Sequence, residues 1–114
     1  MEVLIPDEIR NDHALASSVN AVSEYLSKDF TSTVLNPTAR WRLSQDVLGG
    51  PVLELEIADG PDAVSHRFTT VDFADRWRVE GRLSRLWDQL LGKRSERQQK
   101  LITELLREME ASEA

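Results

Sequence analysis

Apolar side chains in residues 71–91 recur with the period of an α-helix. At about 100° per residue they gather on one side, at Phe73, Trp77, Leu83, Trp87, Leu90 and Leu91, with Val79 and Leu86 at its margin. This arc covers about half of the circumference, whereas a helix lying on one surface needs a stripe of only about 100°. The pattern therefore predicts a central helix that is buried on two flanks, against a sheet and against another helix.

A second helical pattern lies nearer the N-terminus. Asn11 and Asp12 are suitable N-cap residues. Apolar residues then follow at spacings of three and four, at Leu15, Val19, Val22, Leu26 and Phe30. We expect an amphipathic helix there. Residues 1–10 form an arm with a short apolar run at 3–5, which lies on the core, pairs at a sheet edge or frays.

Three stretches between residues 40 and 69 alternate apolar and polar side chains, which indicates β-strands. The apolar phase holds Trp41 and Leu43, then Leu53, Leu55 and Ile57, then Val64, His66 and Phe68. Turn-forming sequences separate the stretches at 49–51 (Gly-Gly-Pro) and 59–62 (Asp-Gly-Pro-Asp). Connections this short favour antiparallel hairpins, because a parallel return needs a crossover of a dozen residues or more.

The chain beyond residue 91 carries a narrower apolar stripe, formed by Leu101, Ile102, Leu105, Leu106 and Met109. Gly92 followed by Lys93 and Arg94 is typical of a helix C-terminus. Residues 95–98 (Ser-Glu-Arg-Gln) have the form of a capping box. We therefore expect the central helix to end at Gly92 and a third helix to follow. The alternative is one helix through Gly92, since a single glycine costs only about 1 kcal/mol.

These patterns together predict an α+β fold: an amphipathic helix, a three-stranded antiparallel meander, a central helix packed on the sheet, and a C-terminal helix. Residues 1–10 are the N-terminal arm, residues 11–91 a single α+β domain, and residues 92–114 an amphipathic helix for packing or oligomerisation. On the outward face of the sheet, two arginines of the first strand are expected beside two glutamates of the second, at Arg40, Arg42, Glu54 and Glu56.

Composition excludes several classes of protein. The 114 residues suit one domain with a core of its own. The absence of cysteine rules out disulfides, thiolate metal sites and a thiol nucleophile. The first ten residues are acidic where a signal peptide is basic, and no apolar run approaches the roughly 20 residues of a membrane span. We expect a cytoplasmic protein that does not enter the membrane.

The net charge of −6 is unevenly distributed. Residues 76–100 carry +5, so the rest of the chain carries −11. This asymmetry is consistent with a basic helix face that is simply exposed to solvent. It is also consistent with association of the basic segment with the acidic part of a second copy, or with a basic face that binds another partner. A nucleic-acid-binding domain is thus the main alternative function, and it would use Arg78, Arg82, Arg85, Lys93, Arg94 and Arg97.

The element order over residues 11–91 is similar to that of double-stranded-RNA-binding domains. Those domains carry a lysine cluster at the start of their last helix, where it meets phosphates. Here that start, at residues 70–75, reads Thr-Val-Asp-Phe-Ala-Asp and is acidic, so the similarity is one of element order only. The order is also similar to that of secretion-chaperone-like folds, which are small, acidic and dimeric.

Candidate chemistry is sparse. His66 stands on the apolar side of a strand, where it is either a core histidine satisfied by one hydrogen bond or a general base beside a carboxylate. A small enzyme or ligand binder around His66 is therefore the second alternative. Glu54 and Glu56 share a strand face, but arginines are expected beside them, so we expect no metal ion and no cofactor. All three tryptophans lie at apolar phases, which favours core positions for them.

The C-terminal stripe has the clearest functional implication, since the core of residues 11–91 is complete without it. We expect a non-enzymatic adaptor, regulatory or structural protein that acts through protein–protein contacts, with a protein partner or a second copy in a homodimer. The expected interface comprises Trp87, Leu91, Leu101, Ile102, Leu105, Leu106 and Met109.

Overall fold

A computed structural model of the chain describes residues 1–30, 35–45 and 50–113, and it confirms the α+β class. The elements in chain order are β1 (Glu2–Leu4), α1 (Asp7–Arg10), α2 (His13–Asp29), β2 (Thr38–Gln45), β3 (Pro51–Asp59), β4 (Asp62–Thr69), a 3₁₀ turn (Asp72–Ala74) and α3 (Arg76–Glu113). The one-turn helix α1 has no counterpart in the sequence prediction. Residues 31–34 and part of the predicted turn at 49–51 lie outside the described residues.

The predicted meander forms with the expected pairing. β2, β3 and β4 are antiparallel neighbours, and the register sets Arg40 opposite Glu56 and Arg42 opposite Glu54. The β3–β4 turn contains Gly60 with φ of 58°, a left-handed conformation that glycine adopts without strain. The sheet has a fourth strand, because β1 in the N-terminal arm pairs in parallel with β2. The sheet is therefore mixed, and the predicted count of three strands is wrong.

Helices α2 and α3 pack on one face of the sheet and leave the other face polar. The inward positions are those of the period-two pattern, and with the buried sides of the helices they form one core cluster, which includes Val19, Leu26, Trp41, Leu55, Ile57, Phe68, Leu83 and Leu90. Asp12 caps α2 as predicted, since its Oδ1 accepts a hydrogen bond from the Leu15 backbone N–H at 3.2 Å. The indole N–H of Trp41 donates to Ser23 Oγ at 3.1 Å, which ties α2 to the sheet.

The predicted helix break at Gly92 is wrong. α3 runs without interruption from Arg76 to Glu113 over 38 residues, a length of about 57 Å at 1.5 Å per residue. Residues 95–98, interpreted as a capping box, lie in its interior. The continuous helix leaves no joint at Gly92 at which its second half could fold back over the first.

Candidate interaction surface

The second half of α3 extends away from the body of the protein. Every described residue from 98 to 112 is exposed, and the longest dimension of the molecule is 65 Å against 31 and 25 Å for the others. This half carries five large apolar side chains, each 51–60% exposed: Leu101, Ile102, Leu105, Leu106 and Met109. We call these five residues the terminal stripe. The stripe is thus where the sequence placed it, without a covering element among the described residues.

Contacts with the β3–β4 hairpin hold α3 at the point where it leaves the body. Lys93 Nζ donates to the Ala63 carbonyl oxygen at 2.6 Å. Arg97 Nε donates to Asp62 Oδ2 at 3.1 Å, and Arg94 Nη1 lies 3.9 Å from Asp59 Oδ2. Asp59 and Asp62 face each other across the hairpin. The two arginines therefore offset the repulsion between two neighbouring carboxylates while they fix the helix.

Two predicted interface residues belong to the half of α3 that packs on the body. Trp87 is partly buried, and its ring lies 5.5 Å from that of Phe30 at the end of α2. Leu91 is 38% exposed. Both therefore combine a structural contact with some free surface at the boundary between the two halves of the helix.

Trp77 is the main departure from the predicted core. Its side chain is 84% exposed, whereas Trp41 is 1% exposed and fully in the core. α3 begins only at Arg76, capped by Asp75, whose Oδ1 accepts from the Arg78 backbone N–H at 3.3 Å. Asp72 lies in the turn before α3, where its carboxylate accepts hydrogen bonds from the Thr69 backbone N–H and hydroxyl. The chain bends before the helix starts, so Trp77 faces outward.

The six basic residues of the nucleic-acid alternative differ in their surroundings. Lys93, Arg94 and Arg97 contact the β3–β4 hairpin as described above. Arg78 lies 3.6 Å from the Asp72 carboxylate. Arg82 and Arg85 are exposed on the first half of the helix. Four of the six therefore have acceptors within the chain, which reduces the positive charge presented to an outside anion.

His66 packs in the sheet rather than in a cleft. It lies opposite Leu55 in the register, and its ring is 4.7 Å from that of Phe68 in an edge-on arrangement. Burial and the positive charge of Arg82 lower the pKa of His66, while Asp72 opposes this shift. The imidazole is therefore held neutral at neutral pH.

Replacing His66 by glutamine is expected to remove part of the acid sensitivity of the fold. The unfolded chain takes up a proton at His66 near the usual pKa of 6.5, whereas the folded protein does so only at lower pH. The free energy of unfolding of the unchanged protein should therefore fall as the pH drops from about 7.5 to about 5. Urea denaturation across this range should show a smaller loss for His66→Gln.

The same substitution at His13, which is exposed at the start of α2, is the control. Asp72 does not titrate within the pH range of this experiment, because hydrogen bonds from Thr69 lower the pKa of its carboxyl below the usual 3.8. Equal losses for the unchanged protein and His66→Gln would contradict the assignment of this acid sensitivity to His66.

Two surface cavities lie away from His66. One of about 510 Å³ is a groove between α2 and α3. It contains Tyr25, whose pKa is raised by burial and by the charges of Glu80 and Asp29, and Arg76, which pairs with Glu80 at 2.7 Å. The other, of about 560 Å³, lies where α3 passes the outer edge of β4. Among the described residues, no group of three or more His, Asp or Glu side chains is placed to hold a metal ion.

Comparison with known proteins adds no relative: no protein-family model, no curated protein and no solved structure matches this chain. Within the described part of the chain, no helix combines the length and the apolar composition needed to cross a membrane. Function is therefore inferred from the surfaces of the chain alone.

Proposed function

We propose that this is a small non-enzymatic protein that acts through protein–protein contacts and associates with a second copy of itself through the terminal stripe. The observation that carries this proposal is the stripe itself. Its five apolar side chains are each more than half exposed, on a helical segment in which every residue from 98 to 112 is exposed.

The stability of this segment supports the proposal. Residues 98–113 are mostly strong helix formers such as Leu, Glu, Gln, Lys, Arg and Met. An isolated helix of this length is nevertheless marginal in water, since most helical stability in proteins comes from packing of an apolar face. A covering partner would supply that packing, and contiguous apolar surface of this kind marks protein interaction sites.

The size of the stripe limits what it achieves alone. Burying a leucine, isoleucine or methionine fully contributes about 1.5–3 kcal/mol, so covering the exposed half of ten such side chains from two copies contributes about 10 kcal/mol. Association itself costs about 4–15 kcal/mol. The stripe therefore suits a reversible dimer, unless further surface joins the contact.

The chain also offers a charge partner for itself. Residues 101–113 carry four glutamates and one arginine, whereas residues 76–85 carry four arginines and one glutamate. Two copies can bring these oppositely charged segments together, which favours association and steers it. A non-enzymatic role also accords with His66, which packs edge-on against Phe68 and lines neither of the two cavities.

Sedimentation equilibrium of the unchanged protein tests this proposal. Over about 1–200 μM, a range that brackets micromolar affinities, the average mass should rise from 13.0 kDa toward twice that value. A uniform mass of 13.0 kDa at every concentration would overturn the proposal.

A further inference from the structure

One exposed line of residues runs along nearly the whole of α3. Counting from Trp77 in alternating steps of four and three residues leads to Met109, through the position of Leu91. Every residue on this line is exposed. Steps of four and three are the heptad spacing at which two helices wind around each other in a coiled coil. The line joins the first half of α3 to the terminal stripe, and we call it the helix seam.

The two halves of the helix seam differ in side-chain size. Between Trp77 and Leu91 it contains Gly81 and Ser84, which leave a shallow surface. Beyond Leu91 it contains Ile102 and Leu105, both more than half exposed. One half thus offers recesses, and the other offers the side chains to fill them.

Gly81 has no role within its own chain that requires a glycine. A Cβ added at this position would meet no atom within 4 Å, and its backbone has ordinary helical φ. Glycine is nevertheless unfavourable in a helix interior. Glycine at such a position permits close approach of another backbone, here one from outside the chain.

We infer that the terminal stripe of one copy lies antiparallel on the Trp77–Leu91 half of the seam of the second copy. This inference rests on the proposed function and specifies its geometry. The contact is centred near Lys93, so that each residue of the helix seam meets the seam residue at equal distance beyond the centre in the partner copy. Leu105 then faces Gly81, and Ile102 faces Ser84.

The ends of this contact are closed by large side chains. Met109 of one copy meets Trp77 of the other, so the indole that is 84% exposed in the single chain becomes an anchor. The flanking pairs beside the seam are centred one residue later, at Arg94, so Leu101 meets Trp87 there. The contact then extends over 33 residues, or about 48 Å of helix, and adds two tryptophans per copy to the five residues of the terminal stripe.

Charge favours this orientation. The glutamates of residues 101–113 lie along the arginines of residues 76–85. Two like-charged flanking contacts arise, Glu80 with Glu108 and Arg94 with its own copy. Glu80 is already paired with Arg76 at 2.7 Å, and Arg94 lies 3.9 Å from Asp59, so a counter-ion accompanies each charge.

The parallel arrangement of the same two helices is much less favourable. It stacks Gly81 on Gly81 and Ser84 on Ser84, which leaves gaps, and it places two Asp88 carboxylates face to face within the seam. It also aligns the glutamates of residues 101–113 with each other. In the antiparallel arrangement Asp88 faces Gln98, which donates hydrogen bonds.

A leucine at position 81 separates the two arrangements. Gly81→Leu meets open space in the single chain and improves helix propensity, so folding is retained. In the antiparallel dimer it collides with Leu105 of the partner copy, and we expect association to weaken at least tenfold. In a parallel dimer the two new side chains would fill a gap and strengthen association. Gln89→Leu adds the same side chain at an exposed position outside the helix seam, about 80° around α3 from Gly81, and is the control.

Disulfide cross-linking checks the register directly, since the protein contains no cysteine. Ser84→Cys and Ile102→Cys are prepared as separate variants and then mixed under mild oxidation. Antiparallel pairing brings the two positions within disulfide reach, so the mixture should yield the heterotypic dimer while each variant alone yields little. Strong cross-linking of each variant alone would indicate parallel pairing.

The outcomes separate the two proposals. Weaker association for Gly81→Leu together with heterotypic cross-links supports the antiparallel contact. Association that is unchanged or stronger, with cross-links in each single variant, overturns this contact but leaves self-association intact. An unchanged protein that is monomeric at every concentration overturns both.

Discussion

Leu105→Asp is expected to abolish self-association at concentrations at which the unchanged protein is dimeric. Leu105 is 59% exposed in the single chain, so the substitution should leave the body and its folding intact. In the dimer the new carboxylate would replace an apolar side chain that is buried against Gly81 of the partner copy. An uncompensated charge in such a place is strongly unfavourable. We expect affinity to fall at least about 100-fold, equivalent to about 2.7 kcal/mol.

Thr103→Asp is the matched control for this experiment. Thr103 is exposed two residues away, and it lies about 120° around the helix from the centre of the terminal stripe. Both variants add one negative charge, and Leu105→Asp costs in addition only about 0.5 kcal/mol of helix propensity, since threonine and aspartate have similar propensities. Sedimentation should therefore show dimer loss for Leu105→Asp alone. Equal weakening by both variants would point to the acidity of the segment instead of the stripe.

Trp41→Ala is expected to lower the free energy of unfolding by about 3–5 kcal/mol. The indole of Trp41 is 1% exposed, lies 6.3 Å from the Phe68 ring and donates to Ser23 Oγ. The substitution leaves a cavity between sheet and helices and removes the hydrogen-bond partner of a buried hydroxyl. Since a domain is typically stable by only about 5–15 kcal/mol, urea denaturation should show a large fall in the midpoint.

Trp77→Ala removes the same side chain from an exposed site and provides the comparison. At concentrations at which the chain is monomeric, it should change stability by no more than about 0.5 kcal/mol. Similar losses for the two variants would contradict the placement of Trp41 in the core and Trp77 outside it.

The elements whose pattern is local were predictable from the sequence. Alternation over Trp41, Leu55 and Phe68 identified the inward face of the sheet, because period two follows from the strand backbone itself. Short turns then determined antiparallel pairing. The parallel pairing of β1 is not determined in this way, since residues 2–4 pair with residues 38–40 across the intervening helices α1 and α2. Local patterns therefore allow several placements for the arm.

The errors at Gly92 and Trp77 have separate physical causes. At Gly92 the local signals for a helix end are real, but Lys93 and Arg97 gain contacts with the β3–β4 hairpin if the helix continues. Those contacts outweigh a cost of about 1 kcal/mol for glycine. The error at Trp77 arose because Phe73 was counted on the same helix. Phe73 lies in the 3₁₀ turn before α3, so the direction of its side chain does not determine which side of α3 Trp77 occupies.

For the candidate surface, the sequence predicted which residues form the terminal stripe but not whether another element of the chain covers them. Spacing alone identified Leu101, Leu105 and Met109 as one apolar side of a helix. Whether that side is covered depends on where the helix is anchored. Arg94 and Arg97 contact residues more than thirty positions away in the sequence. These contacts anchor α3 so that its second half extends away from the body.

Because α3 passes Gly92 without a joint, the direction in which the terminal stripe faces is fixed by the body of the protein. One residue inserted between Arg97 and Leu101 would turn the stripe by about 100° and advance it by only 1.5 Å. Seven inserted residues would return the stripe to nearly the same direction and lengthen the projecting part of α3 by about 10 Å. The number of helical residues therefore sets both the direction in which the stripe faces and its distance from the body. Small insertions would change both without altering a core residue.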